Sequence, residues 1–228
     1  MNWLSLNQVQ KQYGIKKVLD SLTFGVGEKE KIGIIGANGS GKSTLMKIIM
    51  GFEEPDEGTV HRNKSITFAY LKQEPDLDDG NTVFQEVLSE RKEELKLLEE
   101  FKNLSLKLAN NALALESLAS LQQKLENLEC WDLENRVKQY LHQVGIQNLQ
   151  TRISSLSGGE KKKIALAKLF INKADFLLLD EPTNHLDTQT IEWLENMLQS
   201  FEGSLLMVTH DRYFLTRVTD GIADLRNG

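Results

Sequence analysis

Residues 31–50 read KIGIIGANGSGKSTLMKIIM, and the fold follows from this stretch. Ile32 to Ile35 is a short apolar run with the composition of a buried strand. Gly36-Ala37-Asn38-Gly39-Ser40-Gly41-Lys42-Ser43 matches the pattern G-x-x-x-x-G-K-S/T at every fixed position. An apolar helical segment, Thr44 to Met50, comes next. Strand, glycine loop and helix in that order form a loop for holding a phosphate chain. Gly36, Gly39 and Gly41 let backbone N–H groups approach phosphate oxygens without a side chain in the way. The helix N-terminus adds its positive dipole end. Lys42 adds a full charge near the β- and γ-phosphates, and Ser43 offers a hydroxyl to Mg2+. The segment Gly36 to Thr44 is therefore the expected nucleotide site.

The remainder of the chain reads as an α/β domain around that loop. Trp3 to Val9 alternates apolar and polar residues like a strand, Tyr13 precedes Gly14, and Leu22 to Val26 is a second strand candidate. Pro55-Asp56-Glu57-Gly58 marks a turn, and Thr59–His61 with Ile66–Tyr70 reads as a hairpin ending just before Gln73. Phe176 to Leu179 is a fully apolar strand running into Asp180-Glu181-Pro182. Thr188–Ser200 is an amphipathic helix with Ile191, Leu194 and Leu198 facing inward. Leu205–Val208 is a buried strand ending in Thr209-His210-Asp211, Phe214–Val218 a helix and Ile222–Leu225 a last strand. Strands alternating with helices predict a mainly parallel sheet wrapped by helices.

Between these parts the composition changes. No glycine occurs from Asn81 to Val144. Leu97, Phe101, Leu104 and Leu108 make one helical stripe, and Leu118, Leu121, Leu125 and Leu128 make another. Asn110-Asn111 is the expected turn. The spacing predicts an inserted helical subdomain over 82–144, with a helical hairpin over about 91–129.

Net charge is −6, so the whole molecule does not attract nucleic acid or anionic lipid, and any such contact needs a local patch. Cys130 is the single cysteine, which excludes an internal disulfide and fits a reducing cytoplasm. The opening MNWLSLNQVQ lacks the pattern of a signal peptide, and no apolar run is long enough to span a membrane. A cytoplasmic location without membrane insertion is the expectation.

An apolar strand ending in Asp180-Glu181, in a chain with a phosphate loop, places a Mg2+ ligand beside a general base. Asp180 would hold the metal and Glu181 would orient and deprotonate the attacking water. GANGSGKST, LSGGE at 156–160, LLLDEPTNHLD at 177–187 and His210 occur together in the order found in ATP-binding-cassette (ABC) ATPases, which the whole chain resembles. LDEPTNHLD, the THDRYFL run at 209–215 and the helical insert resemble the ABC-F branch, whose members fuse two cassettes without a membrane domain. WDLENRVKQYL and IEWLENMLQSF look most like the first cassette of Uup-type ATPases.

The resemblance implies a P-loop ABC cassette: a mainly parallel sheet core, an antiparallel β subdomain and an inserted α-helical subdomain or arm. It implies ATP and Mg2+ as ligands. Tyr13 resembles the aromatic that stacks on adenine. Gly36, Asn38, Gly39, Ser40, Gly41, Lys42, Ser43 and Thr44 fall in the nucleotide loop. Ser43, Gln73 and Asp180 fall at metal positions, and Glu181, His210 and Gln73 at catalytic ones. Ser157, Gly158, Gly159 and Glu160 form the signature that completes the site of another cassette. Asp187 resembles the residue that couples cassettes across their interface.

One phosphate loop and one signature imply a partner: a second cassette fused in a longer chain, or a homodimer. Residues 1–228 then read as a first cassette that binds ATP but turns it over weakly alone. Two features depart from the family pattern. Lys161-Lys162-Lys163 comes after the signature and opposes the helix dipole; the run either favours a nearby phosphate or is simply solvated, and solvation is the preferred reading. The 91–129 arm holds six basic and seven acidic residues, whereas an arm facing ribosomal RNA would be expected to be basic. Three functions stay open on the sequence. The leading one is an ATPase acting on the ribosome. The others are the nucleotide-binding subunit of a membrane transporter and a Uup-like ATPase acting on DNA structures.

Overall fold

The computed structural model describes residues 2–107, 112–128 and 130–226. The chain forms two compact units, Met1–Asp76 with Lys173–Gly228, and Leu77–Asn172.

The first unit holds two sheets. Strands β1 (Asn2–Tyr13) and β2 (Lys16–Gly27) pair antiparallel, and β4 (Glu57–Arg62) pairs antiparallel on the other edge of β1. The second sheet contains β3 (Lys31–Ile35), β5 (Phe68–Leu71), β6 (Phe176–Asp180), β7 (Ser204–Val208) and β8 (Gly221–Asp224). Its order is β5-β6-β7-β3-β8, with every pairing parallel. A parallel sheet covered on both faces needs apolar side chains in both directions. Accordingly every residue of β6 and β7 is buried.

Helix α1 (Lys42–Met50) buries Leu45, Met46, Ile48 and Ile49, whose i, i+1, i+3, i+4 spacing makes one broad face. These residues share one apolar cluster with Leu4, Leu6, Val9, Leu19 and Val26 of the antiparallel sheet and with Ile34, Phe176, Leu178, Leu206 and Val208 of the parallel sheet. The helix after the phosphate loop is thus fixed by both sheets. Gly51 ends it at φ 77°, its N–H bonded to Ile48 O at 3.0 Å, with Phe52 N bonded to Lys47 O at 2.9 Å.

The predicted hairpin over 59–70 does not form. The strand over 57–62 joins β1, while β5 joins β6 in the other sheet. Most of β4 is exposed and offers little apolar surface for β5 to cover. Beside β6, by contrast, Phe68 stacks on the fully buried Phe176 at 4.9 Å between centroids. Burial against β6 outweighs the proximity in sequence of β4.

Helix α7 (Thr188–Ser200) buries Trp193, Leu194 and Leu198, and Ile191 is only half-buried, so its inward face is rotated from the expected one. Helix α8 (Arg212–Val218) buries Phe214, Leu215 and Val218.

The second unit is helical: α2 (Val83–Val87), α3 (Lys92–Lys107), α4 (Ala112–Asn127), α5 (Leu133–Gln143) and α6 (Gly158–Ile171). It reaches past the 82–144 segment to include the LSGGE helix. Helices α3 and α4 pack together, burying Leu98, Leu125 and Cys130 with Leu97 and Phe101 beside them. Phe101 meets Trp131 edge to face at 4.7 Å. Leu108, the Asn110-Asn111 turn and Glu129 lie outside the described residues. Glu86, 3% exposed, pairs with Lys168 at 2.9 Å and accepts from Asn81 at 2.8 Å, tying α2 to α6. The three lysines after the signature are not one solvated run. Lys162 is buried and Lys161 pairs with Asp79 at 2.8 Å. Helix periodicity turns one lysine of the three inward.

Truncation of Phe176 should test the β5–β6 seam. Phe176→Ala should lower the unfolding free energy by about 3–5 kcal/mol, the range for emptying a packed aromatic site. Chemical denaturation followed by tryptophan fluorescence measures it.

Candidate functional site

Four segments that chemistry requires together lie far apart in the chain. They are the glycine loop after β3, Gln73 after β5, Asp180 and Glu181 at the end of β6, and His210 after β7. In the sheet, β5, β6, β7 and β3 are consecutive neighbours running the same way. All four segments therefore emerge at the same edge, outside the carboxyl ends of the strands, where ligands of parallel α/β sheets bind. They line one cavity of about 630 Å³ with Tyr13, Asn38, Gly39, Gly41, Lys42, Ser43 and Thr44.

The loop geometry explains its residues. Gly41 stands at φ 100°, where a side chain would also strike Val18 at 2.8 Å. A Cβ on Gly36 would meet the Leu225 carbonyl oxygen at 2.6 Å. Gly41 is the N-cap of α1 and brings no side-chain hydrogen bond. The first N–H groups of α1 are left to serve an anion. Lys42, 8% exposed, donates from Nζ to the Gly36 carbonyl at 2.8 Å and the Ala37 carbonyl at 2.9 Å. Gly36 and Ser40 shape the loop without lining the cavity; the buried Ser40 Oγ has no hydrogen-bond partner among the described residues.

At the end of β6 two carboxylates sit almost wholly buried. Asp180 is 2% exposed and Glu181 6%. Asp180 Oδ1 has no hydrogen-bond partner among the described residues, while Oδ2 lies 3.4 Å from the Tyr70 hydroxyl. Burial, with the Asp180 charge beside it, pushes the Tyr70 phenol far above its ordinary value, so Tyr70 stays a donor. Glu181 adopts φ 47°, a conformation in which a side chain is strained. Its N–H is held by the Val208 carbonyl at 2.8 Å. Oε1 of Glu181 lies 3.2 Å from Nε2 of the exposed His210 without hydrogen-bond alignment, and the His210 N–H reaches Oε2 at 3.4 Å.

An unpaired buried carboxylate oxygen calls for a cation. Asp180, the Ser43 hydroxyl and the Gln73 amide offer oxygen donors only, which suits a hard dication that keeps water and phosphate in its shell. Among the described residues no cluster of three His, Cys, Asp or Glu could hold a metal. A site dependent on substrate phosphates does not require one.

Tyr13 stands at the cavity mouth, about half exposed, its hydroxyl donating to Glu53 at 2.5 Å. That bond raises the Tyr13 phenol above its usual value. Lys16 and Val18 also line the cavity and carry no motif that would have singled them out; Asn184 lines it too, and lies within the 177–187 motif but had no role assigned.

The signature residues lie in the second unit. Ser157 caps α6, accepting from Glu160 N at 3.3 Å, and the Glu160 carboxylate accepts from Ser157 N at 2.9 Å and Ser157 Oγ at 2.7 Å. Those bonds hold the Glu160 carboxyl below its usual range. A side chain on the exposed Gly158 would meet nothing within 4 Å, so no contact inside the chain demands glycine there. Asp187 caps α7 through Thr190 N at 2.9 Å and Thr190 Oγ1 at 3.0 Å.

Comparison with known proteins gives the family. Residues 19–184 match the family described as ABC transporter. The chain is 40% identical to YfmR of Bacillus subtilis, an uncharacterized ABC transporter ATP-binding protein, over all of this chain and 37% of that one. It is 37% identical to the energy-dependent translational throttle protein EttA of Mycobacterium tuberculosis, over 98% of this chain and 40% of that one. It is 34% identical to the ATP-binding protein Uup of Escherichia coli, over all of this chain and 36% of that one. The chain thus spans well under half the length of these relatives. Among solved structures, the ATP-binding subunit of an ABC transporter matches with TM-score 0.72 at 22% identity, over 99% of this chain and 87% of that one. Among the described residues no helix is long and apolar enough to cross a membrane. This chain belongs to the ABC transporter family of ATP-binding cassettes, and its relatives are of the ABC-F type.

Proposed function

We propose that this cassette binds ATP with Mg2+ in the cavity at the end of the parallel sheet and hydrolyses it. The convergence of the glycine loop, Gln73, Asp180, Glu181 and His210 on one cavity carries the reading. In it the amides of residues 38–44 and the Lys42 ammonium hold the phosphate chain. The adenine rests on Tyr13, whose ring is steadied by its bond to Glu53. Mg2+ held by Asp180, Ser43 and Gln73 would draw charge from the transferring phosphoryl oxygens. Glu181 takes the proton from the attacking water, for which burial and a fixed backbone prepare it. His210, beside Glu181, faces the terminal phosphate.

The site needs a second cassette. Ser157, Gly158 and Gly159 present a helix N-terminus with small residues, suited to a phosphate held by another chain or domain. The open space around Gly158 supports such a close approach. The relatives are more than twice as long as this chain, which fits a second cassette fused to the first, with Asp187 at the junction. The full protein would work in the cytoplasm, and the ribosome is the partner we favour, because one relative is named a translational throttle protein.

Lys42→Ala should weaken ATP binding by about a hundredfold, the loss of a buried charge-assisted contact. Calorimetry with ATP measures it. Glu181→Gln should keep ATP affinity and lower turnover by about 10²–10⁴-fold, the usual share of a general base. Normal turnover in that variant would assign the proton transfer elsewhere. Specific activity of the wild-type cassette should rise with protein concentration if two copies complete each other's site. Full-length Glu181→Gln protein with ATP should sediment with ribosomes, and recovery with free subunits or none at all would reject that partner.

A further inference from the structure

The cavity holds a second ammonium group that no motif marks. Lys16 opens β2, directly opposite Tyr13 in the β1–β2 register. Successive side chains of a strand point to opposite faces. Lys17 pairs with Asp20 at 2.5 Å, whereas Lys16 turns to the cavity and lines it beside Tyr13 and Val18. Its Nζ stands over the glycine loop: a Cβ built on Gly39 would meet Lys16 Nζ at 3.3 Å and nothing else within 4 Å. Among the described residues the Lys16 side chain makes no hydrogen bond or ion pair; only its backbone is engaged, in the ladder opposite Tyr13. Lys42 differs, because Nζ already gives two bonds to loop carbonyls. The cavity also carries Asp180 and Glu181, so its two lysines offset two carboxylates before any ligand arrives. A free ammonium aimed across a loop of N–H groups is suited to an anion lying between them.

We propose that Lys16 is a binding residue for the phosphate chain of the nucleotide, reaching it beside Gly39 of the loop and favouring phosphorylated ligands over the bare nucleoside. The proposal rests on the nucleotide reading above. Lys16 reaches the ligand from β2 while the loop reaches it from β3, so the ligand bridges the two sheets of the first unit. The contact is exposed, so its strength should depend on salt, unlike that of the buried Lys42.

The test is competition against a fluorescent ATP analogue by ATP, ADP, AMP and adenosine. It uses the wild-type cassette and the Lys16→Ala, Lys16→Gln and Lys16→Arg variants, at low and high salt, with melting temperatures recorded. Lys16→Ala and Lys16→Gln should weaken ATP and ADP by about two- to fivefold, the scale of one exposed ion pair. The loss should shrink at high salt, grow with the number of phosphates and vanish for adenosine. Lys16→Arg should restore affinity. Unchanged ATP affinity in both neutral variants overturns the proposal. So does an equal loss for adenosine, which would mark Lys16 as a support for the cavity wall. If Lys16→Ala lowers the melting temperature, Lys16→Gln, which keeps the aliphatic stem, decides. Wild-type binding that is lost in Lys42→Ala upholds the nucleotide reading whatever Lys16 does, and a wild type that binds no ATP overturns both.

Discussion

Parallel pairing of β5, β6, β7 and β3 is the constraint on which the site depends. A parallel sheet sends every strand's carboxyl end to one edge, and the segments leaving those ends must meet there. The glycine loop, a glutamine, a pair of carboxylates and a histidine each occupy such a position. The sheet can hold that order because β6 and β7 are apolar on both faces and buried throughout. Function and core packing are thus two results of the same pairing.

That edge carries charges a protein interior does not tolerate unaided. Asp180 and Glu181 are nearly fully buried, one oxygen of Asp180 has no hydrogen-bond partner among the described residues, and Glu181 sits at positive φ. Each feature lowers stability, and each is understandable if a cation and a phosphate chain complete the site. The apolar cluster around α1 resists the strain. Because both sheets grip that helix, its bare N-terminus stays where an anion can use it.

The helical unit answers to other demands. Its hairpin is held by leucine packing and by the Phe101–Trp131 contact, and α2 is tied to α6 through the Glu86–Lys168 pair. Ser157 and Glu160 are engaged in capping α6, while a side chain on Gly158 would meet nothing within 4 Å. Capping gives that helix a firm start.

The sequence by itself determined the local chemistry. The G-x-x-x-x-G-K-S spacing, the apolar run into Asp180-Glu181, and the strand–loop–helix order are short-range patterns fixed by backbone geometry and burial. Only the tertiary structure decided which strands are neighbours. Residues 57–71 look like one hairpin because adjacent strands with a turn between them usually pair, yet β5 leaves for β6, where Phe176 gives it more apolar surface to bury. Lys16 likewise enters the cavity from β2 to stand beside a loop that follows β3. Such placements depend on contacts between residues distant in the chain, and no periodicity within a short window records them.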